Sequence, residues 1–142
     1  MRAAIVRDKL EITKLIDEVA AESNGATAIF LGTVRSVNEG REVSAIEYSA
    51  YDEMAELEMR RILGEAAAKF GIKSAAVEHR IGELGIGDAS IAVVVAHPHR
   101  APALDALRYI IDETKARVPV WKLEHYVDGT REWVGAGSGA PR

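Results

Sequence analysis

The sequence predicts an α+β fold with three helices and six strands in the order αββαββαββ. Two patterns lead to this prediction. Apolar residues recur at helical spacing in three segments, and each is followed by two strand-like segments that alternate or are rich in β-branched residues. Because pairs of strands separate the helices, the pattern is not typical of a doubly wound parallel sheet. With 142 residues and 48% hydrophobic content, we expect one compact domain over residues 1–134.

The first helix is predicted over residues 8–23. Asp8 and Glu11 have the spacing of a capping box, and Asn24-Gly25 provides a C-terminal stop. The apolar positions recur at the spacing of one helix face, and they are Leu10, Ile12, Leu15, Ile16 and Val19. We therefore expect this helix to pack through that face.

The next segments predict two strands and a long helix. Residues 26–34 predict a strand, the polar run over residues 36–42 predicts a loop, and residues 43–49 predict a second strand. A helix is predicted over residues 52–70, and Gly71 suits its C-terminal cap. The apolar face of this helix indicates core packing and no site.

Two further strands are predicted over residues 73–81 and 89–96. The second is nearly all apolar and β-branched, which is typical of a strand buried on both faces. Three glycines lie between them, in residues 82–88. A phosphate-binding loop would need Gly-Lys-Ser/Thr and a helix after it, and neither follows, so we predict a tight connection.

The C-terminal part predicts a helix over residues 102–117, with Pro102 in its first turn, and a hairpin. Strands are predicted over residues 120–127 and 131–134, and Asp128-Gly129-Thr130 between them is a good hairpin turn. Residues 135–142 are small and polar, and we expect a flexible tail there.

Composition excludes several classes of function. A net charge of −4 argues against nucleic acid as a partner, since binders of the phosphate backbone carry a broad basic surface. The chain contains no long apolar run for a membrane span and no signal-like start, so we expect a cytoplasmic protein. It also has no cysteine, which excludes thiol nucleophiles, thiolate metal ligands and persulfide carriers.

The segment from Lys115 to Lys122 is the strongest indication of a site. Pro119 lacks a backbone N–H and disfavours helical geometry at the residue before it, so Lys115 is predicted on the last helical turn and Lys122 on the next strand. Together with His99-Arg100 and the upstream Arg35, these lysines predict a cationic pocket for a phosphate or carboxylate.

Each of these residues also has a plainer interpretation. Lys115 complements the helix dipole at the end of its helix. Lys122 shares a strand face with Glu124, so it can pair with this carboxylate or extend into water. Arg35 can be a solvated charge at the end of a strand. His97 and His99 flank a proline and are able to chelate a metal, but no third ligand is near in sequence, so we assign no metal site. Arg100 begins a helix, where the dipole disfavours a cation, so we expect an offsetting anion.

Several motifs follow one another in order over about residues 25–134. They are Gly32-Thr-Val-Arg35, Tyr48-Ser-Ala-Tyr51-Asp-Glu-Met54-Ala55, His79-Arg-Ile-Gly82, His97-Pro-His99-Arg100, Pro119-Val-Trp121-Lys122-Leu-Glu124, Asp128-Gly129 and Trp133-Val134. As an ordered set, rather than in any one piece, these motifs specifically resemble the large, catalytic subunit of molybdopterin synthase.

The resemblance implies a sulfurtransferase with an α/β-hammerhead-type fold and an additional small α/β subdomain. Members of the family convert cyclic pyranopterin monophosphate to molybdopterin, whose dithiolene receives two sulfurs from a small ubiquitin-like partner with a C-terminal Gly-Gly thiocarboxylate. The family architecture is a central homodimer of large subunits within a heterotetramer. No cofactor or metal is implied for the large subunit itself.

Carried over by position, Lys115 and Lys122 match the family's active-site lysines, with Lys115 expected to act as acid and base. Arg35, His99 and Arg100 are expected to bind anions, and Phe30 to line the pterin pocket. Relatives often bring a basic residue from beyond the final Trp-Val to the neighbouring subunit. Here that segment is Gly-rich, which leaves Arg131 and Arg142 as alternatives for this role.

Two other functions remain open at this stage. A receptor for a ubiquitin-like tail or an organic phosphate, without chemistry, would use the same cations, although a tail carboxylate needs only one or two donors. A metal-assisted phosphoesterase would use His97 and His99 and would lose activity to a chelator.

Overall fold

Residues 1–134 are described by a computed structural model, in which they form three helices and nine strands. The predicted tail over residues 135–142 lies outside the described residues. The helices are α1 (Ile12–Val19), α2 (Asp52–Phe70) and α3 (Arg100–Arg117). The strands are β1 (Arg2–Val6), β2 (Ala26–Thr33), β3 (Val37–Asn38), β4 (Arg41–Ala50), β5 (Ser74–Arg80), β6 (Gly82–Gly85), β7 (Ala89–His97), β8 (Val120–Tyr126) and β9 (Arg131–Val134).

The first sheet has four strands in the order β1-β5-β7-β2. β1 and β5 are parallel, and the other pairs are antiparallel. α1 packs on one face of this sheet, and α2 and α3 pack on the other, so β7 is buried along nearly its whole length. This confirms the prediction from its apolar composition.

The second sheet has five strands, with β4 and β8 at its centre. β4 pairs with β8 on one edge and with β3 and β6 on the other, and β9 extends the sheet beyond β8. Its own small core contains Val34, Val43, Ile46, Leu84 and Tyr126. Tyr48 packs on this core and on the larger one, and Ala50 and Val120 pack on the larger core, so these three residues join the two sheets.

Most of the predicted element bounds are confirmed. α2 runs over the predicted residues, and Gly71 caps it in the left-handed conformation with φ of 68°. The β8–β9 hairpin turns at Asp128-Gly129, where the Thr130 N–H donates to Asp128 Oδ1 over 2.8 Å. The mixed architecture confirms the predicted α+β class.

The predicted order of elements omitted three strands and lengthened the first helix. β1, β3 and β6 were not predicted; β3 lies in the predicted polar loop, and β6 in the predicted connection between strands. α1 begins after Glu11, which makes no side-chain cap hydrogen bond, so the predicted capping box is wrong. Asn24-Gly25 does not end this helix; a Cβ on Gly25 would lie 2.8 Å from the Pro98 carbonyl oxygen, which explains the glycine.

An ion-pair network fixes the end of α3 against α2. The Arg117 guanidinium contacts Glu58 and Glu65 on α2, each at 2.6 Å, and Glu113 one turn earlier on α3 at 3.1 Å. Tyr109 also donates to Glu65 over 2.6 Å. The hydrogen bonds from Arg117 and Tyr109 lower the pKa of Glu65 to about 2.

We expect Arg117→Ala to lower the thermal midpoint clearly more than Arg61→Ala does. Arg61 also contacts Glu58, but over 3.3 Å in a single exposed pair, and such pairs contribute little. Arg117→Ala leaves three carboxylates close together without their shared cation. Thermal unfolding of both variants at low and high salt measures this difference. Equal midpoints for the two variants would show that the network does not stabilise the fold.

Candidate functional site

A cleft of about 690 Å³ opens where the end of the first sheet, the second sheet and the last turns of α3 meet. The first sheet, together with the residues that follow β2, provides Phe30, Leu31, Gly32, Thr33, Arg35, His79, Ser90 and Ile91. The second sheet provides Tyr48, Val120, Trp121, Lys122 and Val134, and the α3 end provides Ile111, Thr114, Lys115 and Val118 at the spacing of one helix face. The volume suits a small-molecule ligand.

The two lysines reach this cleft as the sequence predicted. α3 ends at Arg117, and the N–H of Val118 closes its last turn by donating to the Thr114 carbonyl over 3.1 Å. Pro119 follows and β8 begins at Val120, so Lys115 lies on the last helical turn and Lys122 on the next strand. Both line the same cleft.

Phe30 and Arg35 line this cleft as well. Phe30 lies on β2, and Arg35 comes two residues after the strand ends, directly after the buried Val34. The Val34 N–H donates to the Asp88 carbonyl and its own carbonyl accepts from Gly87, which fixes the backbone next to Arg35. Four of the six predicted site residues are therefore brought together.

The cleft is cationic, since no aspartate or glutamate is among the described residues that line it. Glu124 shares a strand face with Lys122, but the two form no ion pair within residues 1–134. Glu124 is buried and accepts instead from the Asn38 amide at 2.5 and 3.1 Å. The plain interpretation of Lys122, as the partner of Glu124, is therefore wrong.

His99 and Arg100 do not reach this cleft within one chain. They lie exposed at the first turn of α3, whereas Lys115 lies near its end. Fifteen residues of helix at 1.5 Å each separate Arg100 from Lys115 by about 22 Å. A single copy of the chain thus does not bring all of the predicted cations together in one pocket.

The histidines before α3 interact with each other. The His99 N–H donates to His97 Nδ1 over 2.9 Å, and the ring centroids are 6.0 Å apart. The His97 side chain thus accepts a hydrogen bond from the backbone at the junction between β7 and α3. Within residues 1–134, no group of three or more potential metal ligands is found.

Five neutral polar residues line the cleft that the sequence did not predict as part of the site: Thr33, Tyr48, His79, Ser90 and Thr114. Two of them lie in cross-strand rows with other residues of the cleft. His79 pairs with Ile91 and Ile91 with Gly32, while Tyr48 pairs directly with Lys122. Tyr48 and His79 both belong to the motifs of the family resemblance, but only the strand register shows that they share this cleft.

Burial keeps two of these groups uncharged. His79 is only 8% exposed, and burial lowers its pKa to about 4. Its Nδ1 lies 3.0 Å from the Arg80 carbonyl oxygen, which can only accept, so Nδ1 carries the proton. Burial also raises the pKa of Tyr48, and the Tyr48 and His79 rings contact edge-on with centroids 5.2 Å apart.

The family model described as MoaE protein matches residues 5–117. The chain belongs to the MoaE protein family. Similar proteins include the molybdopterin synthase catalytic subunit of Pyrococcus abyssi, 49% identical over 117 residues that cover 82% of this chain and 79% of the relative. Catalytic subunit 1 of Aedes aegypti is 43% identical over 129 residues, covering 89% and 83%.

Solved structures confirm the fold of this MoaE-family chain. Molybdopterin synthase from Staphylococcus aureus superposes with a TM-score of 0.89 at 33% identity, over 94% of this chain and 96% of that one. A Helicobacter pylori structure of a complex between subunits 1 and 2 of molybdopterin-converting factor matches with a TM-score of 0.76 at 21% identity, covering 93% and 89%. Within residues 1–134, no helix combines the length and apolar character that membrane crossing requires.

We expect the stability of the protein to fall between about pH 6.5 and pH 4 because of His79. Over this interval the unfolded chain binds a proton at His79 and the folded chain does not, since burial lowers its pKa to about 4. The free energy of unfolding should therefore fall by about 3 kcal/mol as pH decreases through this range. His79→Phe should remove this part of the pH dependence.

Urea unfolding of both proteins at pH 7.5 and pH 4 measures the effect. His99→Gln is the matched control, because His99 is exposed, and it should retain the wild-type pH dependence. An unchanged pH dependence in His79→Phe would show that His79 is not buried in its neutral form.

Proposed function

We propose that this chain is the catalytic subunit of a molybdopterin synthase. In this function it transfers sulfur from the C-terminal thiocarboxylate of a small ubiquitin-like partner to cyclic pyranopterin monophosphate. The observation that carries the proposal is the cleft itself, in which Lys115, Lys122 and Arg35 occur without a lining carboxylate, in a chain of net charge −4. Membership of the MoaE protein family and the names of the similar proteins support it.

A chain without cysteine fits this reaction. The thiocarboxylate of the partner is itself the sulfur nucleophile, so the large subunit needs no thiol. What it must supply is a place for two anions, the partner's terminus and the substrate phosphate, and proton transfer as the cyclic phosphate opens and oxygen leaves. Fixed cations in a partly enclosed cleft stabilise such charges better than water does.

Lys115 and Lys122 have different surroundings, which supports a division of roles. Lys115 is exposed at the rim, on the last turn of α3, where an entering tail would pass, and it acts as general acid and base. Lys122 is half-buried beside Tyr48 and binds the substrate or its developing negative charge. Arg35 binds a second anionic group, and Phe30 provides an apolar wall for the pterin ring.

His99 and Arg100 act in the cleft of a second copy. They lie about 22 Å from Lys115 along α3, so one chain cannot use both ends of this helix for one substrate. Arg100 occupies the first helical position, and no acidic residue lies in that turn to offset its charge. A homodimer within a heterotetramer, with the partner's tail entering each cleft, meets this requirement. The complex acts in the cytoplasm.

We expect Lys115→Ala to lower dithiolene formation by about 100-fold or more, through kcat, because it removes the proton-transfer group. Lys122→Ala should raise KM for the pterin substrate. The assay mixes each variant with a thiocarboxylated small partner and cyclic pyranopterin monophosphate and follows the dithiolene product. Lys73→Ala is the control, because Lys73 is exposed and does not line the cleft.

Two other outcomes of this assay would change the proposal. Nearly full turnover in Lys115→Ala with loss in Lys122→Ala would reverse the two roles. No product from the wild type despite tight partner binding would favour a receptor for the ubiquitin-like tail, in which the same cations serve recognition alone.

We expect a mixed dimer of Lys115→Ala and Arg100→Ala chains to recover about half of the wild-type activity. If Arg100 serves the opposite cleft, one of the two clefts in the mixed dimer has both residues intact. A mixed dimer of Lys115→Ala and Lys122→Ala is the matched control, because both lysines line the same cleft and each cleft then lacks one. Differently tagged, co-expressed chains allow both mixed dimers to be isolated. Activity as low as in the control would contradict a role for Arg100 across the dimer.

A further inference from the structure

One side of the cationic cleft is neutral and polar. His79 lies on the face of β5 that carries the buried Ala75 and Val77 towards the core. Among the β5 residues that face the core, the last is thus His79, which lies where the core opens into the cleft. A buried imidazole loses hydration that an apolar side chain would not lose, so packing alone does not account for it.

The hydrogen bonds of this histidine leave one nitrogen for a ligand. Nδ1 donates to the Arg80 carbonyl, so Nε2 is an acceptor. Within residues 1–134, no protein group forms a hydrogen bond with Nε2, and His79 retains 8% exposure where it lines the cleft. Its low pKa keeps it uncharged at neutral pH, so it adds nothing to the binding of an anion.

Tyr48 and Ser90 extend this neutral side. Tyr48 contacts the His79 ring and is the cross-strand neighbour of Lys122, so this residue lies between the neutral and the cationic parts of the cleft. Ser90 is buried, its hydroxyl donates to the Gly32 carbonyl over 3.2 Å, and its side chain also interacts with the Tyr48 hydroxyl. A side chain on Gly32 would lie 2.7 Å from the Ile91 methyl group, and its absence keeps this side open.

We propose that His79, Tyr48 and Ser90 form a subsite that binds the uncharged, hydrogen-bonding edge of a fused nitrogen heterocycle, with His79 Nε2 accepting a ring or amino N–H. The subsite rests on the proposed function, since the substrate then consists of a neutral pterin and an anionic phosphate. The cations bind the anion, and this subsite positions the ring system with Phe30 and Ile91 as apolar neighbours. Specificity follows, because a site built to accept an N–H strongly disfavours a ligand without one.

Two separate probes test the subsite, a reduced pterin without a phosphate group and inorganic phosphate. Calorimetric titration of the full chain should show that His79→Phe lowers pterin affinity by about tenfold or more, as expected for a lost buried hydrogen bond, and leaves phosphate affinity unchanged. His79→Gln, which keeps an acceptor, should restore much of the pterin affinity. Lys115→Ala with Lys122→Ala should show the opposite pattern, with phosphate binding lost and pterin binding kept.

Tyr48→Phe provides a second test that does not depend on whether His79→Phe folds, because it removes one hydroxyl group and keeps the ring. It should also lower pterin affinity without affecting phosphate. Unchanged pterin affinity in Tyr48→Phe and in folded His79→Phe would overturn the subsite, as would a wild type that does not bind the phosphate-free pterin. Dithiolene formation by the wild type separates the two proposals. If the wild type forms product but pterin binding fails or does not depend on His79 and Tyr48, the subsite alone is overturned. If the wild type forms no product but pterin binding depends on His79, the synthase function alone is overturned.

Discussion

The abrupt change from helix to strand at Val118-Pro119 is the constraint on which the site depends. α3 packs on the first sheet, and β8 belongs to the second, so this junction of two residues joins the two layers directly. Val118 is buried and closes the helix, and the Pro119 carbonyl accepts from the Tyr51 N–H at the start of α2. Because the junction is short and bonded on both sides, the residues before and after it open onto the same space.

The charge of the cleft follows from where the acidic residues are held. The chain has 22 acidic residues against 18 lysines and arginines, yet the charged side chains among the described residues that line the cleft are all cations. The carboxylates nearest in sequence have other partners: Glu113 contacts Arg117, and Glu124 accepts from Asn38. A local positive field in an acidic protein is thus produced by pairing the acids elsewhere.

The sequence predicted those features of the fold that depend on local chemistry. The end of α3 follows from Pro119, and the bounds of α2 follow from its periodicity and Gly71. β1 was missed because a five-residue strand beside charged residues gives no clear period, and β3 and β6 because they form only by pairing with β4. Propensity does not encode such tertiary pairing.

The site residues likewise divide into those set by local sequence and those set by tertiary pairing. Lys115 and Lys122 were predictable because one proline relates them, whereas His79 and Tyr48 meet only through the register of distant strands. The grouping of Arg100 with the lysines did not hold within one chain because closeness in sequence to a helix says nothing about which end of it faces the cleft.

The continuous α3 fixes both the distance and the rotation between the residues at its two ends. Inserting or deleting one residue in it would rotate everything beyond that point by about 100° and shift it by about 1.5 Å, so Lys115 would turn out of the cleft while the helix itself persisted. A change in the length of the turn at Asp128-Gly129 would instead shift the register of β9, which contributes only Val134 to the cleft, and would leave both lysines in place. The length of α3 is therefore under a stricter constraint than the length of that turn.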